Sequence, residues 1–521
     1  MGLLHHAQLS RRTLLRGIGA LTTGFGCSVL AACGGATTGS TTTTLAAPTT
    51  VTASATATSV PATTGTPATI TTTSASPAAS SVSVATSASA STSATSTASA
   101  AAAASSSPAG ATVTLQYYTS LNSRQTTTFP QLVTTNFQKA FPNLKLETIQ
   151  AGSPYDEKYK TLLAAGTPPD VVWLLYPDAY QNRLIQDITA YVQRDKYDLS
   201  VFPKADFDVT SQWRGHICGI PNQSGGNWPV IAYNRDLFQK LGVAEPPTKW
   251  GDPSWSADAF LQTLQKTTRT GADGKLTSAG ISQIGPGVLE NDWPSFWKGQ
   301  WITDDMTTIV CDTPEMIEGF QYLFDLATKY KVMVSAAQLK DMGATNATNA
   351  MISGKLAMMQ VSAGSTFTVA QAVETQGVNL AFAPHPMYKI VGSAVDVDPN
   401  NLPTGSKHLD EAWSFLRWSA DTPYWSISRG NAPAREDQFP AWIQQVYGSL
   451  ADKVNLNVYA QALNHAMRLD PLFLLPTYDQ MHKELLAPAF TNMYAGTAAV
   501  ATTLQGLKSQ LQALVPKTLP D

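Results

Sequence analysis

The N-terminal part of the chain lacks charge. No Asp, Glu, Lys or Arg lies between Arg16 and Arg124, and residues 34–111 are almost wholly Ala, Thr, Ser, Pro, Gly and Val. So few large apolar side chains cannot offset the entropy that ordering the segment would cost. We therefore predict a disordered tether over residues 33–111, whose Thr and Ser content permits O-linked sugars.

Cysteine is scarce, and the usual catalytic motifs are missing. Only Cys218 and Cys311 lie beyond the tether, without a CxxC or Cys/His cluster, which excludes zinc sites of the ribbon type. The sequence has no GxSxG, HExxH or GxxxxGK[ST] motif. A net charge of −3 without a Lys/Arg block argues against nucleic acid as a partner. A glycosidase carboxylate pair would leave no spacing signal, so an enzyme stays an alternative.

The first 32 residues are typical of an export signal. The pair Arg11 and Arg12 precedes an uncharged, mostly apolar stretch that is too short to span a membrane as a helix. Paired arginines indicate the twin-arginine route. The sequence Leu30-Ala-Ala-Cys33 resembles the lipobox of bacterial lipoproteins, which implies that Cys33 is lipidated and anchors the protein to the membrane outside the cytoplasm.

Residues 112–521 form a segment longer than a single hydrophobic core usually supports, so we expect two lobes. Strands are predicted at Val113–Tyr118, at Leu144–Ile149 and in the continuous apolar run "DVVWLL". Between the last two, a helix is predicted to begin near Ser153 and to end at Gly166. Alternation of strands and helices predicts an α/β fold.

Several segments carry a resemblance in chain order. They are "FQKAFPNLKLETI", "YDEKYKTLLAAGTPPDVVWL", "LIQDITAYV", "WRGHICGIPNQSGGNWPVIAYNRDLFQKLGVAEPPTKW", "ISGKLAMMQVSAGS", "AFAPHP", and "SKHLDEAWSFLRWSADTPY" followed by "NAPAR". Together they resemble the family 1 extracellular solute-binding proteins, the sugar-binding components of bacterial ABC importers. The resemblance implies a type II periplasmic-binding-protein-like fold: two α/β lobes joined by crossovers, with the ligand in the cleft between them.

The same resemblance implies the lobe boundaries. Lobe 1 would comprise residues 112–225 and 386–422, and lobe 2 residues 226–385 and 423–521. The chain would cross between them near residues 223–229, 385–391 and 421–425. Two adjacent glycines, Gly225 and Gly226, would give the first crossing the freedom of a hinge.

A sugar site needs aromatic platforms and short polar groups that both donate and accept hydrogen bonds. Such residues follow predicted strands or occupy predicted hinge and cleft loops. The candidates are Tyr118, Ser120, Asn122, Tyr176, Asp178, Asn227, Trp228, Asn291, Asp292, Trp293, Ser362, Gly364, Ser365, Asn431 and Arg435. Trp173 and Trp413 are assigned to packing instead. Gly364 could serve only close backbone approach and Arg435 only its own loop, so both alternatives stay open.

Two patterns suggest metals, and both are incomplete. The stretch "DVDPNN" starts like a calcium loop, but Asn401 stands where Gly is needed and Lys407 where Glu is needed. Tyr117 and Tyr118 resemble the tyrosine pair of iron-binding relatives, but strand alternation separates the two rings. We expect no metal and no cofactor.

These observations predict a lipid-anchored, monomeric binding protein and not an enzyme. Its partners would be a sugar or oligosaccharide and the permease subunits of an ABC transporter. The alternatives are a surface-anchored carbohydrate-active enzyme, a sensor that docks on a membrane receptor, and the same fold binding glycerol 3-phosphate or another small solute. Cys218 and Cys311 would fall in different lobes, so we predict free thiols.

Overall fold

The computed structural model describes residues 112–519, except for 123, 152–154, 225–228 and 395. The predicted signal, the lipidation site Cys33 and the tether lie outside the described residues. The same holds for two candidate site residues, Asn227 and Trp228.

Thirteen strands lie in the described residues. They are β1 (Val113–Thr119), β2 (Leu144–Gln150), β3 (Val171–Trp173), β4 (Gln212–Trp213), β5 (His216–Ile217), β6 (Ile220–Ser224), β7 (Val230–Asn234), β8 (Arg269–Thr270), β9 (Leu276–Ser282), β10 (Met333–Val334), β11 (Leu356–Val361), β12 (Leu380–Ala383) and β13 (Val397–Asn401).

These strands form two main sheets. The first has the order β2-β1-β3-β13-β6; β1 runs parallel to β2 and β3, and β13 runs antiparallel to β3 and β6. The second has the order β10-β9-β11-β7-β12, with β8 paired to β9. There β7 runs antiparallel to both neighbours. We call the first sheet with its helices lobe 1, and the second with its helices lobe 2.

Helices cover both sheets. Those of lobe 1 are Gln125–Phe129, Thr135–Ala140, Tyr155–Ala164, Pro177–Gln181, Thr189–Asp195, Lys204–Thr210 and Leu409–Asp421. Those of lobe 2 are Arg235–Leu241, Ala257–Thr267, Pro286–Asn291, Trp293–Phe296, Pro314–Thr328, Ala336–Asp341, Ala347–Ile352, Ala363–Gln376, Phe439–Trp442, Leu450–Lys453, Leu456–Ala460, Tyr478–Met481, Ala487–Ala495 and Val500–Leu514. A further helix, Tyr424–Arg429, joins the lobes.

The chain passes between the sheets at two strand connections. It leaves lobe 1 after Ser224 and enters lobe 2 at Val230. It returns between Ala383, the end of β12, and Val397, the start of β13. Part of this return, which sequence analysis assigned to lobe 1, packs on lobe 2: the amide of Met387 donates to the carbonyl of Trp255 at 2.7 Å.

The helix Tyr424–Arg429, which sequence analysis assigned to lobe 2, packs on the core of lobe 1. The ring of Trp425 lies edge-on to Tyr117 and Phe129, with centroids 5.4 and 5.2 Å away. Tyr117 also contacts Phe415 at 5.3 Å. Aromatic groups at these distances fill the space between the first sheet and its helices. The last crossing therefore follows this helix.

Lobe 2 has its own aromatic core around the helix Pro314–Thr328. The side chain of Thr313 accepts a hydrogen bond from the amide of Met316, and Pro314 at the first helical position needs no such partner. One face of this helix then buries Phe320 against Trp301, with centroids 5.4 Å apart.

The strand predicted from "DVVWLL" is shorter than expected. Strand β3 ends at Trp173 because Leu174 adopts a left-handed conformation, with φ of 60°. The next amide, that of Leu175, donates to the side chain of Asn401 at 3.1 Å. This break turns the chain out of the sheet towards Tyr176 and the helix that follows.

Both cysteines of the described chain are free and buried, Cys218 in lobe 1 and Cys311 in lobe 2. The thiol of Cys311 donates to the carbonyl of Leu504 at 3.4 Å. Among the described helices, none is both long enough and apolar enough to cross a membrane.

Candidate functional site

The lobes meet where the loop after β3 reaches lobe 2. The ring of Tyr176 lies edge-on to Phe473, with centroids 5.4 Å apart. Beside it, the side chain of Gln181 donates to the carbonyl of Leu474 at 3.2 Å. The region between the carboxyl end of β3 and these lobe 2 residues is the interlobe cleft.

Carboxylates concentrate in this cleft. Asp398, on β13, accepts hydrogen bonds from the side chain of Gln223 at 2.5 Å and from the hydroxyl of Tyr176. Burial, followed by the charge of Asp396, raises the pKa of Asp398 to about 8. The Asp398 carboxyl therefore titrates near neutral pH.

Asp206 adds a second buried carboxylate from lobe 1. Its side chain is fully buried, and neither carboxylate oxygen has a hydrogen-bond partner among the described residues. Burial raises the pKa of Asp206 well above its ordinary value, and the charges of Asp396 and Asp292 raise it further. Because Asp292 belongs to lobe 2, acidic side chains from both lobes act on one another across the cleft.

The hydroxyl of Tyr176 lies within this acidic group. Burial raises its pKa most, and the charges of four carboxylates then raise it further: Asp396, Asp398, Asp178 and Asp292. We call these four residues and Asp206 the acidic cluster.

Arg429 supplies positive charge to the same region. Its guanidinium lies 3.8 Å from the ring centroid of Trp173 and donates to the carbonyl of Ser120 at 3.0 Å. Burial lowers the pKa of Arg429 to about 10, which still leaves it protonated at neutral pH. Its charge in turn lowers the pKa of Asp398, against the larger effect of burial.

A second arginine links the lobes at their edge. The side chain of Arg124, in lobe 1, donates to the carbonyl of Arg429 and lies 4.7 Å from the ring centroid of Phe367 in lobe 2. Gly430 allows this approach, since a Cβ there would lie 2.7 Å from the Arg124 guanidinium. Its φ of +78° also favours glycine. We call Arg124, Phe367 and Gly430 the arginine latch.

Three aromatic side chains of lobe 2 pack together in its core. Trp442 contacts Tyr447 and Tyr459, with centroids 5.0 and 5.7 Å away. Burial raises the pKa of Tyr459 most, and the charges of Asp396 and Asp398 raise it further. Among the described residues, the indole N–H of Trp442 has no hydrogen-bond partner.

A cavity of about 460 Å³ also opens on lobe 2, and the amide of its lining residue Asp470 donates to the carbonyl of Asn291 at 3.0 Å. Three of its charged groups are already engaged: Arg468 pairs with Asp304 at 2.7 Å, and Asp470 accepts from the amides of Trp301 and Leu472. The partnerless polar atoms near the acidic cluster make the interlobe cleft the stronger site.

A family model matches this architecture over residues 122–424, that of the bacterial extracellular solute-binding proteins. The chain belongs to this family. Solute-binding proteins of this family act outside the cytoplasm and by binding, so this family member is not an enzyme.

Solved structures of similar fold include three bacterial proteins. An ABC substrate-binding protein from Listeria monocytogenes, in complex with cycloalternan, is 18% identical with a TM-score of 0.62, over 77% of this chain and 98% of that one. A sugar transporter from Rhizobium etli in an open conformation is 20% identical with a TM-score of 0.62, over 77% and 99%. A sugar-binding protein from Xanthomonas citri is 15% identical with a TM-score of 0.63, over 77% and 97%. The type II fold expected from the sequence is confirmed.

Four of the predicted site residues of this solute-binding protein come together at the cleft. They are Tyr176, Asp178 and Asp292, which belong to or face the acidic cluster, and Asn291 beside them. The side-chain oxygen of Asn291 is buried without a partner among the described residues.

Two predicted aromatic contacts pack inside the lobes instead. The indole of Trp293 is buried among Phe296 and Tyr388 and donates to the carbonyl of Gly319 at 3.0 Å. The hydroxyl of Tyr118 donates to the carbonyl of Tyr155 at 2.8 Å, and its ring is fully buried. Neither ring offers a free face to a ligand.

Other candidates begin helices or hold loops. The side chain of Asn122 accepts from the amides of Arg124 and Gln125, and that of Ser362 accepts from the amide of Ser365. Ser120 contributes its carbonyl to Arg429. Gly364 lies in the first turn of the helix that Ser362 begins, and Asn431 is half-buried beyond Gly430.

Arg435 holds its own loop, one of the two roles left open by the sequence. Its guanidinium forms ion pairs with Asp421 at 2.7 Å and with Asp437 at 2.8 Å. Both carboxylates are on the surface, so Arg435 is engaged outside the cleft.

Sequence reasoning missed Arg429, Asp206 and the role of Asp396 and Asp398. Arg429 had a signal, since it is the sole charge in "YWSISRGN", a segment otherwise suited to burial. The acidic pair was weighed as a calcium loop, whereas the structure places Asp398 in strand β13 and Asp396 directly before it. Asp206 gave no signal, because a lone Asp on a helix is usually exposed.

Proposed function

We propose that this protein is the lipid-anchored substrate-binding component of an ABC importer, which takes a sugar or oligosaccharide into the interlobe cleft. The anchor would be the lipid on Cys33, with residues 34–111 as the tether. The protein would act as a monomer and would pass its ligand to the permease subunits.

One observation carries the proposal: buried polar groups in both lobes lack partners among the described residues. Among the described residues, both oxygens of Asp206 and both amide atoms of Asn222 lack a partner, as does the indole N–H of Trp442. Buried polar groups are normally paired, so a ligand rich in hydroxyls is a suitable occupant. The partly exposed rings of Tyr176 and Phe473 would stack on the C–H faces of its rings.

The solved relatives point the same way. Cycloalternan is bound in the Listeria protein, and the Rhizobium and Xanthomonas proteins are described as a sugar transporter and a sugar-binding protein. A phosphorylated ligand such as glycerol 3-phosphate is disfavoured, because the acidic cluster would repel it and Arg429 already faces Trp173 and Ser120.

Closure of the lobes on the ligand would supply selectivity. A ligand that bridges Tyr176 or Asp206 in lobe 1 and Asp292 or Trp442 in lobe 2 binds the closed form better than the open form. This difference in affinity shifts the population towards closed. The closed form would then present surfaces of both lobes to the permease.

Thermal unfolding against a panel of mono- and oligosaccharides tests the proposal. A ligand that binds the folded state raises the midpoint by mass action. One saccharide should stand above the others, with glycerol 3-phosphate and amino acids as controls. If only glycerol 3-phosphate raises the midpoint, the sugar assignment is wrong; if a membrane receptor and no permease captures the closed form, the sensor role replaces import.

The anchor needs its own experiment. In cells that express the full chain, the protein should fractionate with membranes, and Cys33→Ala should release it or block its processing. Cys33→Ala protein that stays processed and membrane-bound would contradict lipid anchoring.

A further inference from the structure

One buried side chain, that of Gln223, lies beside all three connections between the lobes. Gln223 is on β6, one residue before the chain leaves lobe 1 at Ser224. Asp398 is on β13, just after the chain returns to lobe 1. Trp425 is on the helix Tyr424–Arg429, which carries the last crossing. The side chains of Gln223, Asp398 and Trp425 are all buried, so the lobe 1 ends of the connections meet inside the protein.

Both ends of the Gln223 amide are hydrogen-bonded. The indole N–H of Trp425 donates to Oε1 of Gln223 at 3.1 Å, and Nε2 of Gln223 donates to the carboxyl of Asp398 at 2.5 Å. Because an indole N–H can only donate, the amide oxygen has to face Trp425. The amide nitrogen then has to face Asp398, which lies directly opposite Gln223 on the neighbouring strand. The partners therefore fix the orientation of the amide.

The backbone on either side of Gln223 is tied to the last crossing as well. The hydroxyl of Ser426 donates to the carbonyl of Asn222 at 3.2 Å. The amide of Ser224 donates to the carbonyl of Ala432 at 2.7 Å. These contacts hold the main chain on both sides of Gln223, so its side chain has little freedom to leave its place between the connections.

The hydrogen-bonded chain continues to the interlobe cleft. Asp398 accepts from the hydroxyl of Tyr176, and the ring of Tyr176 lies 5.4 Å from that of Phe473 in lobe 2. We call Trp425, Gln223, Asp398 and Tyr176 the hinge relay. It starts in the core of lobe 1 and ends at a ring that is partly exposed in the cleft. In such a buried network, removal of one member leaves its neighbours without partners.

We propose that Gln223 is a positioning residue of the sugar site: through Asp398 it holds Tyr176 where the two lobes meet. This inference rests on the proposed sugar-binding function and adds a residue that does not itself touch the sugar. Without the Gln223 amide, Asp398 can turn to another donor, and the hydroxyl of Tyr176 is no longer held in one place. Binding then has to order the Tyr176 ring, and this cost lowers the affinity.

A double-mutant cycle between Gln223→Met and Tyr176→Phe tests the hinge relay. Methionine keeps the length of the side chain and removes both hydrogen bonds, whereas phenylalanine keeps the ring and removes the hydroxyl. Titration calorimetry on the full mature chain uses whichever of maltose, cellobiose, mannobiose and cycloalternan raises the unfolding midpoint most. Each single variant should weaken binding about tenfold. The double variant should also lose about tenfold, and not the roughly hundredfold that independent effects would give.

The matched control is Gln438→Met, which alters another buried glutamine. The side chain of Gln438 donates to the carbonyl of Ala420 at 2.6 Å, and no member of the hinge relay is its partner in that bond. This variant should lower the unfolding midpoint but change affinity less than about twofold. An equal loss of affinity in Gln438→Met would show that lost stability, and not the position of Tyr176, explains the effect. Gln223→Leu replaces Gln223→Met if the latter does not fold.

The outcomes separate this inference from the function on which it rests. If Gln223→Met binds the saccharide as tightly as the unchanged protein, or if the two losses multiply, sugar binding stands and the inference is wrong. If no saccharide of these four or of the wider panel binds, the proposed function is wrong, and the unfolding midpoints decide whether the relay exists. The midpoint of the double variant should then lie above the value given by adding the two single shifts, and additive shifts would overturn the relay too.

Discussion

The two ends of strand β13 differ in the charge of their buried polar side chains, which are asparagines at one end and aspartates at the other. At its C-terminal end, Asn400 and Asn401 are fully buried and fully paired. Asn400 accepts from the hydroxyl of Tyr117 at 2.9 Å and donates to Ser419 at 3.1 Å. Asn401 accepts from the amide of Leu175 and donates to the carbonyl of Cys218 at 2.9 Å.

At the other end, Asp398 and Asp396, which directly precedes the strand, belong to the acidic cluster, where burial and like charge raise the pKa of Asp398. The asparagines hold lobe 1 together, because every polar atom finds a partner within the lobe. Asp398 is also hydrogen-bonded within lobe 1, to Gln223 and Tyr176, but burial and the charge of Asp396 raise its pKa. The comparison teaches that paired neutral amides stabilise the lobe regardless of pH, whereas a buried carboxyl makes its stability depend on pH.

The largest effect is expected from a substitution at the C-terminal end of strand β13, where the asparagines are paired. Asn401→Ala would leave the Leu175 amide and the Cys218 carbonyl buried without partners, and should lower the free energy of unfolding by roughly 2–5 kcal/mol. Chemical denaturation measures this loss. The exposed Asn492→Ala is the matched control, with an expected change below about 0.5 kcal/mol. A loss as small for Asn401 as for the control would contradict the structural role.

The second prediction concerns Asp398, at the other end of strand β13, and the dependence of stability on pH. The pKa of Asp398 in the folded protein, about 8, exceeds that of an unfolded Asp, so the folded state binds more protons between about pH 4 and pH 8. The free energy of unfolding should therefore fall as the pH rises through this range.

The variant Asp398→Asn should remove part of that decline. It should raise the unfolding midpoint at pH 8 by about 2–4 °C and leave it nearly unchanged at pH 4. Part of the slope should remain, because burial also raises the pKa of Asp470, to about 7. Equal shifts at both pH values would show that Asp398 is not the titrating group.

A smaller effect is expected at the arginine latch. Arg124→Met removes the cation above Phe367 and the bond to the Arg429 carbonyl, and should weaken ligand binding roughly two- to tenfold by making closure less favourable. Lys329→Met is the control, since Lys329 lies 4.9 Å from the ring of Tyr330 on the surface of lobe 2. Affinity lost equally in both variants would rule out a specific role for the latch.

The smallest effect concerns Arg435. Because its partners Asp421 and Asp437 are on the surface, Arg435→Gln should cost less than about 1 kcal/mol of stability and leave ligand affinity unchanged. A tenfold loss of affinity in calorimetry would instead restore the ligand contact that its place in the sequence suggested.

Much of the fold could be predicted from sequence because local patterns carry it. Alternation in "LKLETI" gave strand β2, and the helix after residue 154 ends close to the predicted glycine stop at Gly166. The residues of the cleft were harder to predict than the fold, because burial of a polar residue depends on tertiary packing. Trp293 and Tyr118 lie at the expected ends of elements but point into cores, whereas Asp206 lies on an ordinary helix and points inward.

The two free cysteines make the motion of each lobe separately measurable. Cys218 and Cys311 are fully buried in different lobes, and burial raises both thiol pKa values, that of Cys311 to about 12. A thiol reagent can modify either one only while its surroundings are locally open. The rate at which each cysteine is labelled thus reports how often its own lobe opens locally. If a ligand slows the labelling of both cysteines, it stabilises both lobes. If it slows the labelling of only one, it stabilises mainly the lobe that contains that cysteine.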